Sequence, residues 1–190
     1  MSQSFPRYFN ENTSKLKIIN KDKSVFMKII AGLLWLTKKM RFHTIDDFMT
    51  RYVTTIGCRI YGPTERGSWN MDMEPTSTLY HEMGHVLESK LEPVLYELKY
   101  LLSKKWRARY ESICVQVEMA MFKERRTIKY ADQRAPHFVP YGIPLETMRK
   151  ELHDRVNELK AGNPHAATTM IVQSEGAWRA QLVQDRRRSE

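Results

Sequence analysis

Apolar residues recur at helical spacing through residues 24–41, where Phe26, Ile29, Ile30, Leu33 and Leu36 share a face, and this predicts a buried helix. A short helix is expected over 44–50, opening at Thr44 ahead of Asp46 and Asp47. The pattern then changes. Residues 52–61 are rich in β-branched side chains and read as one strand, ended by Gly62 and Pro63. A weaker alternation over 67–73 predicts a second strand. Helices are expected from Pro75 to about Lys90, from Pro93 to about Lys105, from Ala108 to Arg125 and from Leu145 to Leu159, the last stopped by Gly162. Residues 131–144 carry three prolines and read as a loop, and 172–184 as a final helix.

Many helices and few strands predict an α+β fold, a mostly helical single domain with a small sheet. Residues 24–162 form that domain, 1–23 a polar and loosely attached N-terminal segment, and 163–190 a basic C-terminal tail.

Composition adds a constraint on partners. The net charge is +9, with basic clusters at 15–23, 104–109, 125–129 and 186–188. Such a surface suits an anionic partner or nucleic acid, although a solvated basic face accounts for it equally well. The longest apolar stretch, 29–36, is far short of the ~20 residues that a membrane span needs, so no span is expected. No apolar run follows a basic start at the N-terminus, so no signal peptide is expected and the cytoplasm is the expected compartment. Cys58 and Cys114 form neither a Cys-x-x-Cys pair nor a disulfide framework.

The chemistry concentrates in His81-Glu82-Met83-Gly84-His85. Two histidines four apart on a helix project from one face and can reach one tetrahedral Zn²⁺. Glu82 follows the first histidine, so its carboxylate can reach the open side of the metal and take a proton from a water that the metal acidifies. Thr78, Leu79, Val86 and Leu87 keep charge away from the histidines, as a helix crossing a core requires. Gly84 costs ~1 kcal/mol inside a helix, which implies a packing reason: another backbone comes close beside it. The competing reading is an amphipathic helix with two incidental histidines.

A catalytic zinc needs a third protein ligand. After His85 the next histidine is His137. The segment 107–125 offers Glu111 and Glu118, seven residues and therefore only about 20° apart around a helix, bordering the apolar face of Tyr110, Ile113, Cys114, Val117 and Met121. Either glutamate is a candidate ligand, and either is equally a solvated helix-edge residue. In the 131–144 loop and just before it, His137, Tyr130 and Tyr141 are candidates to donate to an oxyanion. Asp132 and Glu74 are candidate partners for the histidines.

At residues 78–87, Thr-Leu-Tyr-His-Glu-Met-Gly-His-Val-Leu, the chain resembles the zincin metallopeptidases. The resemblance covers about ten residues and implies a zincin-like fold: a helix, a small sheet with an edge strand, the zinc helix, then a helical part that completes the site. It places the edge strand, which binds an extended polypeptide substrate, at 67–73. The metzincin pattern would need glycine at 88 and histidine at 91, where this chain has Glu88 and Leu91. The distance to His137 also weakens a likeness to the small SprT-like proteases. Glu111-Ser-Ile-Cys resembles the gluzincin ligand helix of the lethal-factor-like toxins, departing from it at Val115. That likeness implies Glu111 ahead of Glu118 as the third ligand. The expected activity is zinc-dependent peptide-bond hydrolysis with Glu82 as general base. The alternative is a basic DNA-associated or phage host-takeover protein, acting in the host cytoplasm, on the same fold with a relict metal site.

Overall fold

The computed structural model describes residues 3–13, 15–37, 45–63, 69–71, 73 and 75–189. In chain order its elements are α1 (Phe5–Asn12), β1 (Lys17–Asn20), α2 (Val25–Thr37), α3 (Ile45–Arg51), β2 (Thr54–Ile56), β3 (Arg59–Gly62), α4 (Ser77–Leu91), α5 (Leu95–Leu102), α6 (Lys104–Met121), α7 (Ile128–Arg134), α8 (Leu145–Lys160) and α9 (Ala166–Ser189). The architecture is α+β and mostly helical, with one small sheet among the described residues.

The stretch read as one strand over 52–61 is a hairpin. Gly57 turns the chain at φ 55, a left-handed conformation that glycine reaches without steric cost. Thr54, Thr55 and Ile56 then pair antiparallel with Tyr61, Ile60 and Arg59. The third strand comes from the N-terminus: β1 runs parallel to β3, giving the order β1-β3-β2. The strand expected over 67–73 falls partly outside the described residues, and Trp69, Asn70, Met71 and Met73 are not in a strand. Trp69 instead folds back onto Gly62, where a Cβ would lie 1.9 Å from the indole, so only glycine fits. The sheet edge nearest α4 is therefore β2.

The described N-terminal helix and the first half of α9 are packed against the body. Phe5 and Phe9 are fully buried, one helical turn apart. Phe5 packs at a tilt against Tyr80 of α4 and Trp178 of α9, with ring centroids 5.7 and 5.4 Å away, and the Trp178 indole donates to the Gln3 carbonyl at 2.8 Å. The expected tail is thus packed against the body as far as Trp178 and largely exposed beyond it, and its helix starts at Ala166 rather than at 172. The expected loop 131–144 is mostly helical as well: α7 runs into a 3-10 segment, Ala135–Tyr141, that ends where Gly142 turns at φ 75.

Two helices organise the core. Thr76 caps α4 by accepting from the Leu79 amide at 3.1 Å, and Ser103 caps α6 at the Trp106 amide. α4 lies along α6, which α5, α8 and α9 also enclose. α6 consequently starts at Lys104, earlier than expected, and carries polar residues on faces that never meet solvent. α2 buries Met27 and Ala31 but exposes Val25, Phe26 and Ile29, so its described part is only half sunk. No helix among the described residues is long and apolar enough to cross a membrane.

Candidate metal centre

α4 passes through the core along its middle, which makes His81, Glu82 and His85 buried side chains. The close approach implied by Gly84 is present: a Cβ there would lie 3.2 Å from Cα and 3.0 Å from Sγ of Cys114 on α6. This contact draws the two helices together beside the histidines.

The imidazoles sit with ring centroids 5.0 Å apart. Nε2 of His81 lies 3.1 Å from Oε2 of Glu111, and Nε2 of His85 lies 3.5 Å from the same oxygen. The other Glu111 oxygen accepts from the Tyr100 hydroxyl. A tetrahedral ion with bonds of ~2.0–2.1 Å spaces its ligand atoms about 3.3–3.4 Å apart, so these separations suit a shared metal with little movement. His81, His85 and Cys114 also form a buried group whose ligand atoms lie within 4.8 Å of one another and could hold a metal ion. Cys114 belongs to the same turn of α6 as Glu111, and burial pushes its thiol well up.

The far nitrogens are tied down. Nδ1 of His81 meets Oε1 of Glu118 at 2.8 Å, and Nδ1 of His85 meets the Tyr96 hydroxyl at 2.6 Å. Glu118 is saturated: Oε1 also takes Arg134 at 2.7 Å, while Oε2 takes Ser77 at 2.8 Å and Tyr130 at 2.9 Å, with Arg125 3.5 Å away. All its lone-pair sites are therefore in use, whereas Glu111 has room at the convergence point. Burial alone would lower the His81 imidazole, but hydrogen bonds to Glu111 and Glu118 raise it to about 10. Burial opposes ionisation of both glutamates, and the neighbouring imidazoles outweigh it, so both are held below the usual carboxylate range.

Glu82 points toward the sheet. Its Oε2 accepts from the Thr55 hydroxyl at 2.7 Å, which joins β2 to α4. Tyr141 lies near the same charges: burial first, then Glu111 and Glu82, push its phenol well up. His137 is exposed to solvent. Its neighbour Phe138 turns inward and stacks on His81, with centroids 6.3 Å apart and planes 18° from parallel. Tyr130 serves Glu118, and Asp132 pairs with His153 at 2.9 Å rather than with either motif histidine. Glu74 lies outside the described residues.

Three participants have no sequence signature. Tyr96 and Tyr100 are one turn apart on α5 and reach His85 and Glu111. Arg107 ends α5 by donating to the carbonyls of Tyr100 at 2.8 Å and Leu101 at 2.9 Å, and its third bond, 2.6 Å to the Tyr141 carbonyl, fastens the 3-10 segment against the site. The i,i+4 spacing of the tyrosines is visible in the sequence, but nothing there says which face of α5 is buried.

Comparison with protein-family models, with curated proteins and with solved structures gives no match.

Proposed function

We propose that the protein is a zinc-dependent peptidase in which His81, His85 and Glu111 hold the metal and Glu82 is the general base. The observation that carries this reading is the convergence of two histidine nitrogens on one oxygen of Glu111, at 3.1 and 3.5 Å. The donor set is what zinc takes, two neutral imidazoles and a carboxylate, leaving a fourth position free. Glu118 is a positioning residue that orients His81 through Nδ1, as carboxylates behind metal-bound histidines commonly do. Tyr96 does the same for His85.

Zinc, when bound, supplies a Lewis acid that polarises a carbonyl and acidifies water. The chain supplies the rest. Glu82 removes a proton from the attacking water and returns it to the departing amine nitrogen. Tyr141 is the candidate donor to the oxyanion, its half-buried phenol held protonated by burial and by the charges of Glu111 and Glu82. No described strand pairs with the outer side of β2, and Thr55 within it touches Glu82. An extended polypeptide added along that edge would bring a backbone carbonyl to the base.

The test is hydrolysis of an unfolded polypeptide by purified protein. Activity should vanish with a chelator, return with zinc, and be absent in Glu82→Gln, whose amide cannot accept the proton. Zinc-loaded wild-type protein that cleaves nothing across a broad peptide library, or a Glu82→Gln variant as active as wild type, overturns the reading.

A further inference from the structure

Between residues 90 and 105 the exposed positions follow one rule: every one is apolar or a lysine. The apolar ones are Leu91, Val94, Leu95, Leu98, Leu101 and Leu102 together with Pro93, and among them Val94 is 75% exposed, Leu102 71%, Leu95 55% and Leu98 51%. The lysines are Lys104, Lys105 and Lys90, the last of which donates to the Thr13 carbonyl. Both acids of this stretch, Glu92 with a 35% exposed side chain and Glu97, are engaged by neighbours. Glu92 takes Lys99 at 2.6 Å and Tyr110 at 2.7 Å, and Glu97 takes Ser89 at 2.8 Å.

Within α5, Leu95, Leu98, Leu101 and Leu102 cover about a third of the circumference, and Tyr96 and Tyr100 lie on the other side, toward the metal centre. Among the described residues these leucines stay exposed, from 44% at Leu101 to 71% at Leu102. So many neighbouring leucines in water are costly, and a contiguous apolar face of this kind marks a contact surface.

We infer that the outer face of α5, with the α4–α5 turn, docks on an anionic lipid surface. Leucines that enter the acyl boundary, with three exposed lysines against one half-exposed, salt-bridged carboxylate, Glu92, form the pattern of an interfacial helix. The charge pattern discriminates among occupants. A second copy of this chain would bring lysines against lysines across a two-fold contact. Nucleic acid would pair with the lysines but would leave the leucines in water. Docking places α5, and through Tyr96 and Tyr100 the metal centre, against the bilayer. The inference does not depend on the proposed peptidase activity.

Flotation of the full chain with vesicles tests it, using phosphatidylcholine alone and phosphatidylcholine mixed with phosphatidylglycerol. Binding should appear on the mixed vesicles, fall with salt, and be weak on the neutral ones. Leu98→Ser with Leu102→Ser should lower the partition constant on the order of a hundredfold. Lys104→Gln and Lys105→Gln should each lower it about fivefold. All four side chains are exposed, so the variants should keep the wild-type circular dichroism and melting curve. No binding to the mixed vesicles, or binding that both variant sets leave intact, overturns the inference. So does a self-association of the wild type, seen by light scattering, that the leucine variants abolish, or duplex DNA binding that needs the lysines while vesicle binding is absent.

Discussion

Gly84 on α4 and Cys114 on α6 are in contact so close that a methyl group at position 84 would meet the Cys114 backbone at 3.2 Å and its sulfur at 3.0 Å. Backbone cannot yield as a flexible side chain can. Gly84→Ala should therefore destabilise the protein by about 1–3 kcal/mol from overpacking, partly offset by ~1 kcal/mol of improved helix propensity. Gly176 on α9 is the internal comparator: it is exposed and a Cβ there would meet nothing within 4 Å, so Gly176→Ala should stabilise by up to ~1 kcal/mol. Urea unfolding of both variants checks the opposite signs. A Gly84→Ala protein as stable as Gly176→Ala would mean that the helices are not pressed together here.

In the proposed zinc centre the third ligand lies between Glu111 and Cys114, which share one turn of α6. Oε2 of Glu111 lies between both Nε2 atoms, whereas the Cys114 sulfur packs against Gly84 and burial disfavours its thiolate. Zinc competition titrations should show Glu111→Ala losing affinity by several orders of magnitude, the effect of removing one of three protein ligands. Cys114→Ala should retain the metal within a few-fold. The reverse order would assign the site to His81, His85 and Cys114.

Glu118 gives a milder expectation. Its carboxylate touches His81 at Nδ1 and is filled by Ser77, Tyr130 and Arg134. Glu118→Gln should cost about 10–100-fold in zinc affinity, because it loosens the orientation of His81 without removing a ligand atom. The same titration distinguishes the outcomes: a loss as complete as that of Glu111→Ala would make Glu118 a direct ligand.

The parts of this centre legible in the sequence are those fixed by local geometry. A four-residue offset places His81 and His85 on one helical face whatever surrounds them, and a mid-helix glycine announces a close approach. The glutamates were legible as candidates only. Choosing between them needs the environment of α6, whose burial all round from Tyr110 to Ala120 removes the solvent edge on which an ordinary glutamate would sit. The packing of the N-terminal segment is not legible because Phe5 and Phe9 stand among mostly polar neighbours, and the rings that meet Phe5, Tyr80 and Trp178, are far away along the chain. The hairpin is hidden for a similar reason: Gly57 sits inside a β-branched run and splits one apparent strand into two.

Lys21 gives a prediction at the other end of the sheet. Its ammonium is fully buried, 3.5 Å from the centre of the Phe48 ring, and donates to the carbonyls of Phe48 at 2.8 Å and Tyr52 at 2.9 Å and to the Thr54 hydroxyl at 2.7 Å. These bonds hold the start of β2, one residue before the Thr55 that grips Glu82. Burial lowers the lysine from its ordinary 10.5 to about 7, against the opposing pull of Glu82. The sign of the linkage follows. Between about pH 7 and 10.5 the unfolded chain holds a proton on this lysine that the folded chain has released, so stability gains a rising contribution with pH across that window. Below about 7 both states are protonated and the contribution is flat, with the cost of a buried charge at its full value. Lys21→Met removes the titration but leaves the Phe48 and Tyr52 carbonyls without their donor, so the variant should be less stable at alkaline pH, and the deficit should shrink as pH falls from 9 toward 7. Urea unfolding of wild type and variant at matched pH values measures that difference, in which groups titrating equally in both proteins cancel. A stability difference that stays constant from pH 7 to 9 would show that Lys21 keeps its proton in the folded core.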